Sequence, residues 1–470
     1  MRLPVSGETP TEKTLREFEG WLLQRSPSCE LPRYWLVHQW LFEMASRGES
    51  ARRLWMMDST PMFCFGALRG TVRLLGDGLR GLVRRWARWT RTPLPKLAHD
   101  LELPWVTTKS TKGGLAIDWR DPEARHEVVH RLATDVQRVV EQLLTRRGEL
   151  HPSHREALKQ RGAALLKVIH DDLEADERGR LVIASRSTSD RLVSMTDPEA
   201  RAGRKSQNQP FKGFKLNVLG DLVSGLIASV KVVPGNCGDG GPGQELLRRA
   251  HALGVRLSRV LADTAYGGTE DRLAARRLGI ELVAPAPPLP SLSQKSRGVL
   301  RKHEFALDFE ARRATCPAGV ETLMHREVSR GKVMCQQFEW PVADCAACPL
   351  RRRCMPKWTD VKSSRGQPRK GRRLTLDARE EALRAARAEW AKPERQAEYR
   401  RRAEGERLIA RMVRFGGRQA LAFGLAKAEL QAHAAAMAAN LARFAKTLHA
   451  TSKPVPHEPL PLFAEPNAPP

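Results

Sequence analysis

Three acidic residues of this chain, Asp58, Asp263 and Glu406, stand in local sequences suited to a shared metal site. Asp58 and Asp263 each follow a short apolar run, which predicts that both lie at strand ends. Glu406 follows Tyr399 and Arg402 at a spacing of i, i+3 and i+7, which predicts one helical face for all three. Carboxylate oxygens are the ligands that Mg²⁺ requires. The chemistry indicated is a metal-assisted displacement at phosphorus.

Each acid also has a plainer interpretation, because an acid after a hydrophobic run is more often a helix cap or a turn residue. The context of Asp263 favours the metal site. Tyr266 and two glycines follow it and indicate a strand, an acid and then a helix entry, whose exposed N-terminus favours anions. Asp197, which precedes a proline, and Asp239, in a Gly-rich turn, are weaker alternatives.

The chain of 470 residues is strongly basic, with 80 Lys and Arg against 53 Asp and Glu and a formal net charge of +27. The excess is spread along the whole length, which indicates a polyanionic partner. Membrane surfaces and ribosomal RNA would also attract this charge, so composition narrows the partner class without selecting DNA.

Two basic groups have spacings that suit phosphate contact. One surrounds a turn that leads into a strand, and a solvated loop is an equally good interpretation. The other forms a stripe one helical step from Glu406, for which phosphate contact is favoured over solvation. The first group is Arg201, Arg204, Lys205, Lys212 and Lys215, and the second is Arg407, Arg411 and Arg414.

Four cysteines could gather a zinc ion in a tetrahedron. Cys345, Cys348 and Cys354 follow the pattern C-x2-C-x5-C, and Cys316 lies upstream. Cys335 or His325 could replace one ligand, and an iron–sulfur cluster or four free thiols remain alternatives. A structural ion is preferred, because thiolates are poor Mg²⁺ ligands and the surrounding segment lacks an apolar core.

The eight cysteines are too few for a disulfide scaffold. No run approaches the roughly 18 apolar residues that span a bilayer, and the first ten residues lack the apolar core of a signal peptide. We therefore predict a cytoplasmic, nucleoid-associated protein without a membrane partner.

The elements that must position these residues can be read from periodicity. Helices are predicted near 11–48, 68–98, 122–180 and 376–446, and a strand over 54–58 that Pro61 stops. The β-patterned stretches 214–218 and 225–233 are joined by a turn at Gly220 and Asp221. From there a helix at 242–253, a strand at 256–262, a helix at 269–278 and a strand at 280–284 form a β-α-β-α-β series, which indicates an α/β fold.

Several motifs in order resemble the DDE transposases of bacterial insertion sequences, in the branch with a Tyr-x2-Arg-x3-Glu signature and a cysteine-containing insertion before the Glu. The resemblance covers roughly residues 50 to 447. It is carried by Asp58-Ser59-Thr60-Pro61, the stretch from Val193 to Ser206 around Asp197-Pro198-Glu199, Phe211 to Lys215, Asp263 to Gly267, Cys345 to Pro349, Tyr399 to Glu406, Gly424 to Lys427, and Asn440-Leu441.

The resemblance implies an RNase H-like mixed sheet flanked by helices. Residues 1–50 would be a helical, DNA-binding N-terminal region, shortened relative to the longer helical region with which family members generally begin. Residues 51–290 would form the first part of the core with a helical insertion at 73–185. A cysteine-rich insertion at 291–365, the helical end of the core at 366–450 and a disordered tail at 451–470 would follow.

The implied reaction is metal-dependent cleavage at the ends of a mobile element, followed by attack of the freed 3′-hydroxyl on target DNA. Asp58, Asp263 and Glu406 would hold Mg²⁺ or Mn²⁺, Arg402 would steady a phosphate or a carboxylate, and Tyr399 would orient the helix or the DNA. The implied partners are the terminal inverted repeats, target DNA and a second copy of the chain. A catalytically silent DNA-binding remnant and a nuclease without joining activity remain alternatives.

Overall fold

A computed structural model describes residues 11–47, 53–145, 150–186, 188–206, 208–286, 298–331, 333–355 and 371–451. The chain divides into two compact units. The first comprises Met1–Glu49, Thr60–Cys237 and Arg407–Pro470, and the second comprises Ser50–Ser59 and Gly238–Glu406. The predicted disordered tail lies outside the described residues except for its first residue. Residues 363–370, part of a basic stretch at 363–373 that the sequence predicts to be a linker, also lie outside them.

The described residues form α-helices and β-strands in alternation, so the predicted α/β class is confirmed. The helices are α1 (Glu12–Arg25), α2 (Glu30–Arg47), α3 (Thr71–Trp89), α4 (Leu94–Asp100), α5 (Thr111–Leu115), α6 (Pro122–Thr145), α7 (Pro152–Asp172), α8 (Gly240–Ala252), α9 (Thr269–Arg277), α10 (Val342–Ala346), α11 (Arg351–Cys354), α12 (Ala378–Trp390), α13 (Pro393–Arg400), α14 (Glu406–Met412) and α15 (Leu425–Thr451). The strands are β1 (Leu54–Phe63), β2 (Leu173–Ala175), β3 (Leu181–Ile183), β4 (Arg201–Ser206), β5 (Gln209–Asp221), β6 (Ile227–Pro234), β7 (Arg259–Leu261), β8 (Glu281–Val283), β9 (Ala306–Asp308), β10 (Arg313–Thr315), β11 (Glu321–Thr322), β12 (His325–Arg330), β13 (Val333–Glu339) and β14 (Arg373–Asp377).

In the first unit, β5 pairs with two antiparallel neighbours, β4 and β6. Helix α15 packs along β6, and α2 packs against both. Strand β1 continues past Pro61 to Phe63, where the predicted strand would have stopped. It does so because the backbone N–H of Phe63 donates to Arg418 and its carbonyl accepts from Ala420, so the later residues have partners of their own.

A leucine-rich core holds α3, α6 and α7 together in the same unit. Leu75, Leu79, Leu82 and Trp86 recur at helical spacing on the buried face of α3. The short hairpin of β2 and β3 follows α7, so the segment predicted to be wholly helical also contains two strands.

In the second unit, the first part of β1 pairs in parallel with β7, and β7 pairs in parallel with β8. Helix α8 precedes β7 and α9 precedes β8, which is the predicted alternation with shorter strands. Six strands form two further antiparallel sheets in the segment where the sequence shows little periodicity. These sheets surround a core of Phe305, Phe338, Trp340, Leu374 and Leu376, so the prediction that the cysteine-containing segment lacks an apolar core was wrong.

The first turn of α15 is capped by two acids from the loop before β4. The backbone N–H of Gly424 donates to Asp197 Oδ1 at 3.2 Å, and that of Leu425 donates to Glu199 Oε2 at 2.8 Å. Asp197 is fully buried, and burial raises the pKa of its carboxyl above the ordinary value. These carboxylates satisfy N–H groups that a helix cannot pair internally.

Among the described residues, no helix is long and apolar enough to cross a membrane.

We expect Asp197→Ala to lower the free energy of unfolding by about 1–3 kcal/mol, because a buried cap is lost. Asp197→Asn should cost much less, since it keeps an acceptor for Gly424. Chemical denaturation would measure both, with the exposed Glu177→Ala as control. If Asp197→Ala left stability unchanged and removed Mn²⁺ binding, Asp197 would be a metal ligand instead of a cap.

Candidate active site

The register of β1 and β7 sets the positions of two of the predicted acids. Met56 pairs with Leu261, and Asp58 and Asp263 each stand two residues further along. Asp263 follows the end of β7 as predicted, whereas Asp58 lies within the longer β1 and not at a strand end. Because the two strands are parallel, residues beyond a matched pair emerge at the same edge of the sheet. Apolar burial of β1 and β7 therefore brings Asp58 and Asp263 to one place, although they are far apart in the sequence.

A single guanidinium nitrogen lies between the two carboxylates. Nη2 of Arg402 is 2.8 Å from Asp58 Oδ2 and 3.8 Å from Asp263 Oδ2. Burial raises the pKa of the Asp58 carboxyl, and the positive charge of Arg402 opposes that rise. Nε of Arg402 is buried and has no acceptor among the described residues. The arrangement is a pair of acids that face one cation.

Backbone N–H groups hold the other oxygen of each acid. Ser59 N donates to Asp58 Oδ1 at 2.8 Å, and Ala265 N donates to Asp263 Oδ1 at 2.9 Å. Asp263 thereby caps the short 3₁₀ turn Thr264–Tyr266. Both carboxylates are oriented by their own chain, which leaves their Oδ2 atoms directed at the shared cation.

The helix predicted across Tyr399, Arg402 and Glu406 is not a continuous α-helix. Tyr399 lies in the last turn of α13, Arg402 lies in the 3₁₀ turn Arg401–Gly405, and Glu406 begins α14. Gly405 packs directly on the buried side chain of Met56, and a Cβ atom there would overlap Met56 Cε and lie 3.0 Å from its Cγ. This close contact fixes the position of the turn against β1, and thereby the position from which the Arg402 side chain extends toward the acids.

Four charged residues connect α13 to the parallel strands. Arg259 on β7 pairs with Glu281 on β8 at 2.8 Å and with Glu398 on α13 at 2.9 Å. Arg395 on α13 pairs with Glu281 and, at 3.2 Å, with Glu398. The cluster shares its charges among several partners, so it orders the end of α13 more firmly than an isolated surface pair would.

Glu406 does not join the other two acids. Its side chain is exposed at the first position of α14, and no described residue pairs with it. Within the described ranges, no group of three or more His, Cys, Asp and Glu side chains is placed so that it could hold a metal ion. The structure thus brings together Asp58, Asp263 and Arg402 but leaves Glu406 apart.

Tyr266 is a supporting residue that the sequence analysis used only as part of a motif. It is 1% exposed, and its hydroxyl bonds to Ser59. Burial raises the pKa of the phenol well above its usual range, and the nearby charges of Asp239, Asp58 and Asp263 raise it further. The phenol therefore stays neutral and fills the space beneath the acids, with Asp239 also close to it.

The basic side chains that were predicted to contact DNA have different environments in the first unit. Arg201 Nε donates to Asp190 at 2.7 Å, Nζ of the buried Lys215 donates to the Cys237 carbonyl at 2.8 Å, and Arg411 bonds to the Gly225 carbonyl. These three cations are engaged within the protein. The exposed ones are Arg204, Lys205, Lys212, Arg407 and Arg414.

The four cysteines Cys316, Cys345, Cys348 and Cys354 line one cavity of about 30 Å³ in the second unit. The backbone N–H of Arg372 donates to Cys345 Sγ at 3.3 Å. Burial raises the pKa of the Cys345 and Cys354 thiols. Cys335 and His325, the predicted substitutes, are not part of the cavity wall.

A family model described as a transposase DDE domain matches residues 315–445. The match includes Tyr399, Arg402, Glu406 and the four cysteines, whereas Asp58 and Asp263 precede it. No curated protein and no solved structure matches the chain significantly. The family match supports a DDE transposase, an enzyme of the nuclease and transposase type, and transposase DDE domains generally use divalent ions such as Mg²⁺.

We expect Gly405→Ala to lower the free energy of unfolding by about 1–3 kcal/mol through overpacking against Met56. It should also reduce DNA cleavage by about 10-fold or more, because the turn that carries Arg402 would shift. Thermal melting and a cleavage assay would measure these effects. Gly241→Ala is the matched control, since its Cβ would meet no atom within 4 Å; equal losses in both variants would refute the packing argument.

Proposed function

We propose that this protein is a DDE transposase that cleaves DNA at the ends of an insertion sequence and joins the freed 3′-hydroxyl to target DNA. The observation that carries the proposal is the convergence of Asp58 and Asp263 on one cationic nitrogen, each two residues beyond the matched pair of Met56 and Leu261 on parallel strands. The match to a transposase DDE domain over residues 315–445 supports the same reaction class.

The carboxylate ligands are of the type that a divalent ion such as Mg²⁺ or Mn²⁺ requires, and two of the three proposed acids already lie together. Two carboxylate oxygens already face one positive charge, and oxygen is the ligand type that these hard cations require. Asp58 and Asp263 would hold the ion, and Glu406 would complete the set after a rearrangement of the 3₁₀ turn that precedes it. A bound ion would supply activation of the attacking oxygen and stabilisation of the leaving oxygen.

The residues of the chain position and neutralise these groups. Arg402 balances the charge of the acid pair, and its guanidinium would hold a phosphate if a divalent ion neutralised the acids. Tyr399 packs edge-on against Trp390 at a centroid distance of 5.0 Å, which fixes the end of α13 and so the orientation of the turn. Tyr266 keeps water from the inner side of Asp58 and Ser59.

The mixed α/β architecture supports an RNase H-like core. The domain limits predicted from the sequence are proposed with it. Duplex DNA, comprising the terminal inverted repeats and the target, is the proposed partner. Because two ends must be handled together, the protein would act as a homodimer on DNA. The proposed contacts to the DNA backbone are the exposed Arg204, Lys205, Lys212, Arg407 and Arg414.

We expect Asp58→Asn, Asp263→Asn and Glu406→Gln each to reduce cleavage and joining by at least about 10²–10³-fold, while DNA binding is largely kept. The substrate would be DNA that carries the flanks of the gene, incubated with Mg²⁺, and cut ends and joined products would be mapped. Asp239→Asn is the control, since it tests the weaker candidate acid beside Tyr266.

Each outcome separates one interpretation. Discrete cuts at inverted repeats followed by joining, lost in the three variants and kept in Asp239→Asn, would support the transposase. Cutting without joining would favour a nuclease, and binding without cutting would favour a catalytically silent remnant. Full strand transfer by Asp263→Asn would defeat the assignment of the acids.

We also propose a structural zinc ion at the cavity lined by Cys316, Cys345, Cys348 and Cys354. Four thiols on one cavity wall and an N–H bond to Cys345 are the usual surroundings of a thiolate-bound ion. Binding requires the thiolates to turn toward the common cavity. Such an ion would stabilise the adjoining small core, where Cys316, Cys345 and Cys354 pack.

Metal analysis of the purified protein should find one zinc ion per chain. Cys345→Ser should lose the ion and lower the melting temperature, whereas Cys335→Ser, outside the cavity wall, should keep both. Visible absorption from iron and sulfide would favour an iron–sulfur cluster. Four titratable thiols without any metal would reject the site.

A further inference from the structure

The exposed face of α3 is an arginine stripe. The solvent-facing positions recur at steps of three and four residues, so they line one side of the helix. One acid, Asp77, and one glycine, Gly81, interrupt the stripe. Its other members are Arg73, Arg84, Arg85 and Arg88.

Arg161 of α7 adds a fifth guanidinium by lying across α3. A Cβ atom placed on Gly81 would be 3.6 Å from both Nε and Nη2 of Arg161. The absence of a side chain at Gly81 lets the planar group rest close to the helix backbone, beside Arg85. Arg161 is therefore held in place by packing and does not trail into solvent.

These cations have no acidic partners within the described part of the chain. No carboxylate pairs with Arg84, Arg85, Arg88 or Arg161 there, and the buried Nε of Arg161 has no acceptor. The one acid of the stripe is engaged elsewhere. Asp77 accepts from Thr111 Oγ1 at 2.6 Å and pairs with Arg69 at 3.4 Å.

Burial separates this surface from an ordinary solvated charged face. Burial lowers the pKa of the Arg161 guanidinium, and the like charge of Arg85 lowers it further. Arg80, buried one turn earlier on α3, has its pKa lowered by burial and then by Arg84, against the opposing charge of Asp77. Arginine nonetheless stays charged. The folded protein therefore holds several partly desolvated cations close together, and these cations repel one another.

An anion that contacts several of these groups would relieve that repulsion. The planar fork of arginine suits phosphate oxygens, and a row of such forks along a helix suits a row of phosphates. We propose that Arg84, Arg85, Arg88 and Arg161 form a binding site for the phosphate backbone of duplex DNA. The choice of DNA rests on the proposed function. The contacts would position the duplex without reading its bases.

The test is the salt dependence of DNA binding by the full-length protein, in buffer without divalent ions so that no cleavage occurs. Two duplexes of equal length are compared, one with an element end and one of unrelated sequence. The variants are Arg85→Gln, Arg161→Gln and the double variant. Lys159→Gln is the control, because Lys159 is exposed on α7 but stands two residues before Arg161, on the opposite side of the helix.

Each lost phosphate contact should reduce the slope of log K against log salt by about 0.9, so the double variant should lose nearly two units. Affinity at a fixed salt concentration should fall about 10-fold or more for both duplexes, and Lys159→Gln should change it less than about 2-fold. The melting temperature of Arg161→Gln should stay level or rise, because a desolvated cation is removed.

An unchanged slope in the double variant would overturn the proposal, as would a loss of affinity confined to an RNA duplex of the same sequence. The outcome is separable from that of the proposed function. Reduced slopes in a protein that never joins DNA would keep this surface and reject the transposase. Strand transfer by the wild type with unchanged slopes in the variants would do the reverse.

Discussion

The parallel pairing of β1 with β7 is the constraint on which the candidate site depends. Met56 and Leu261 are paired and fully buried, so Asp58 and Asp263, two residues further along each strand, lie at the same edge of the sheet. Two carboxylates in a partly buried place repel each other and lose hydration. Arg402, from a third segment of the chain, offsets the repulsion and the lost hydration of the two carboxylates. The site therefore depends on contact between the cation and both acids.

The segment that supplies the cation is fixed by packing and by charge. Gly405 seats the 3₁₀ turn on Met56, and the ion pairs of Arg259 and Arg395 anchor α13 to the strands. The same turn separates α13, which ends at Arg400, from Glu406, whose side chain is exposed. A short stretch of non-α backbone thus determines that Arg402, and not Glu406, contacts Asp58 and Asp263.

The positive charge of the chain is used in two ways. Some basic side chains bind groups within the protein: Arg201 forms an ion pair with Asp190, and the buried Lys215 donates to a carbonyl group. Others are left unneutralised within the described residues, and those on α3 and α7 are crowded together, as Arg85 and Arg161 illustrate. A formal charge of +27 gives no indication of this division, because it depends on which side chains find acids after folding.

Periodicity and residue type alone predicted the α/β class, the alternation of α8, β7, α9 and β8, and the placement of Asp58 and Asp263 after apolar runs, since these follow from local patterns of burial. Other features could not be predicted from local sequence. The extension of β1 through Pro61 depends on partners at 418–420, and the break before Glu406 depends on contact with Met56. The roles of Asp197 as a helix cap and of Arg201 as an ion-pair partner were equally hidden, because distant segments supply the other group. The sequence by itself determined which residues could do chemistry and which elements would carry them. Only the tertiary structure decided which charges meet, because the pairing of charges depends on distances between segments that no local pattern encodes.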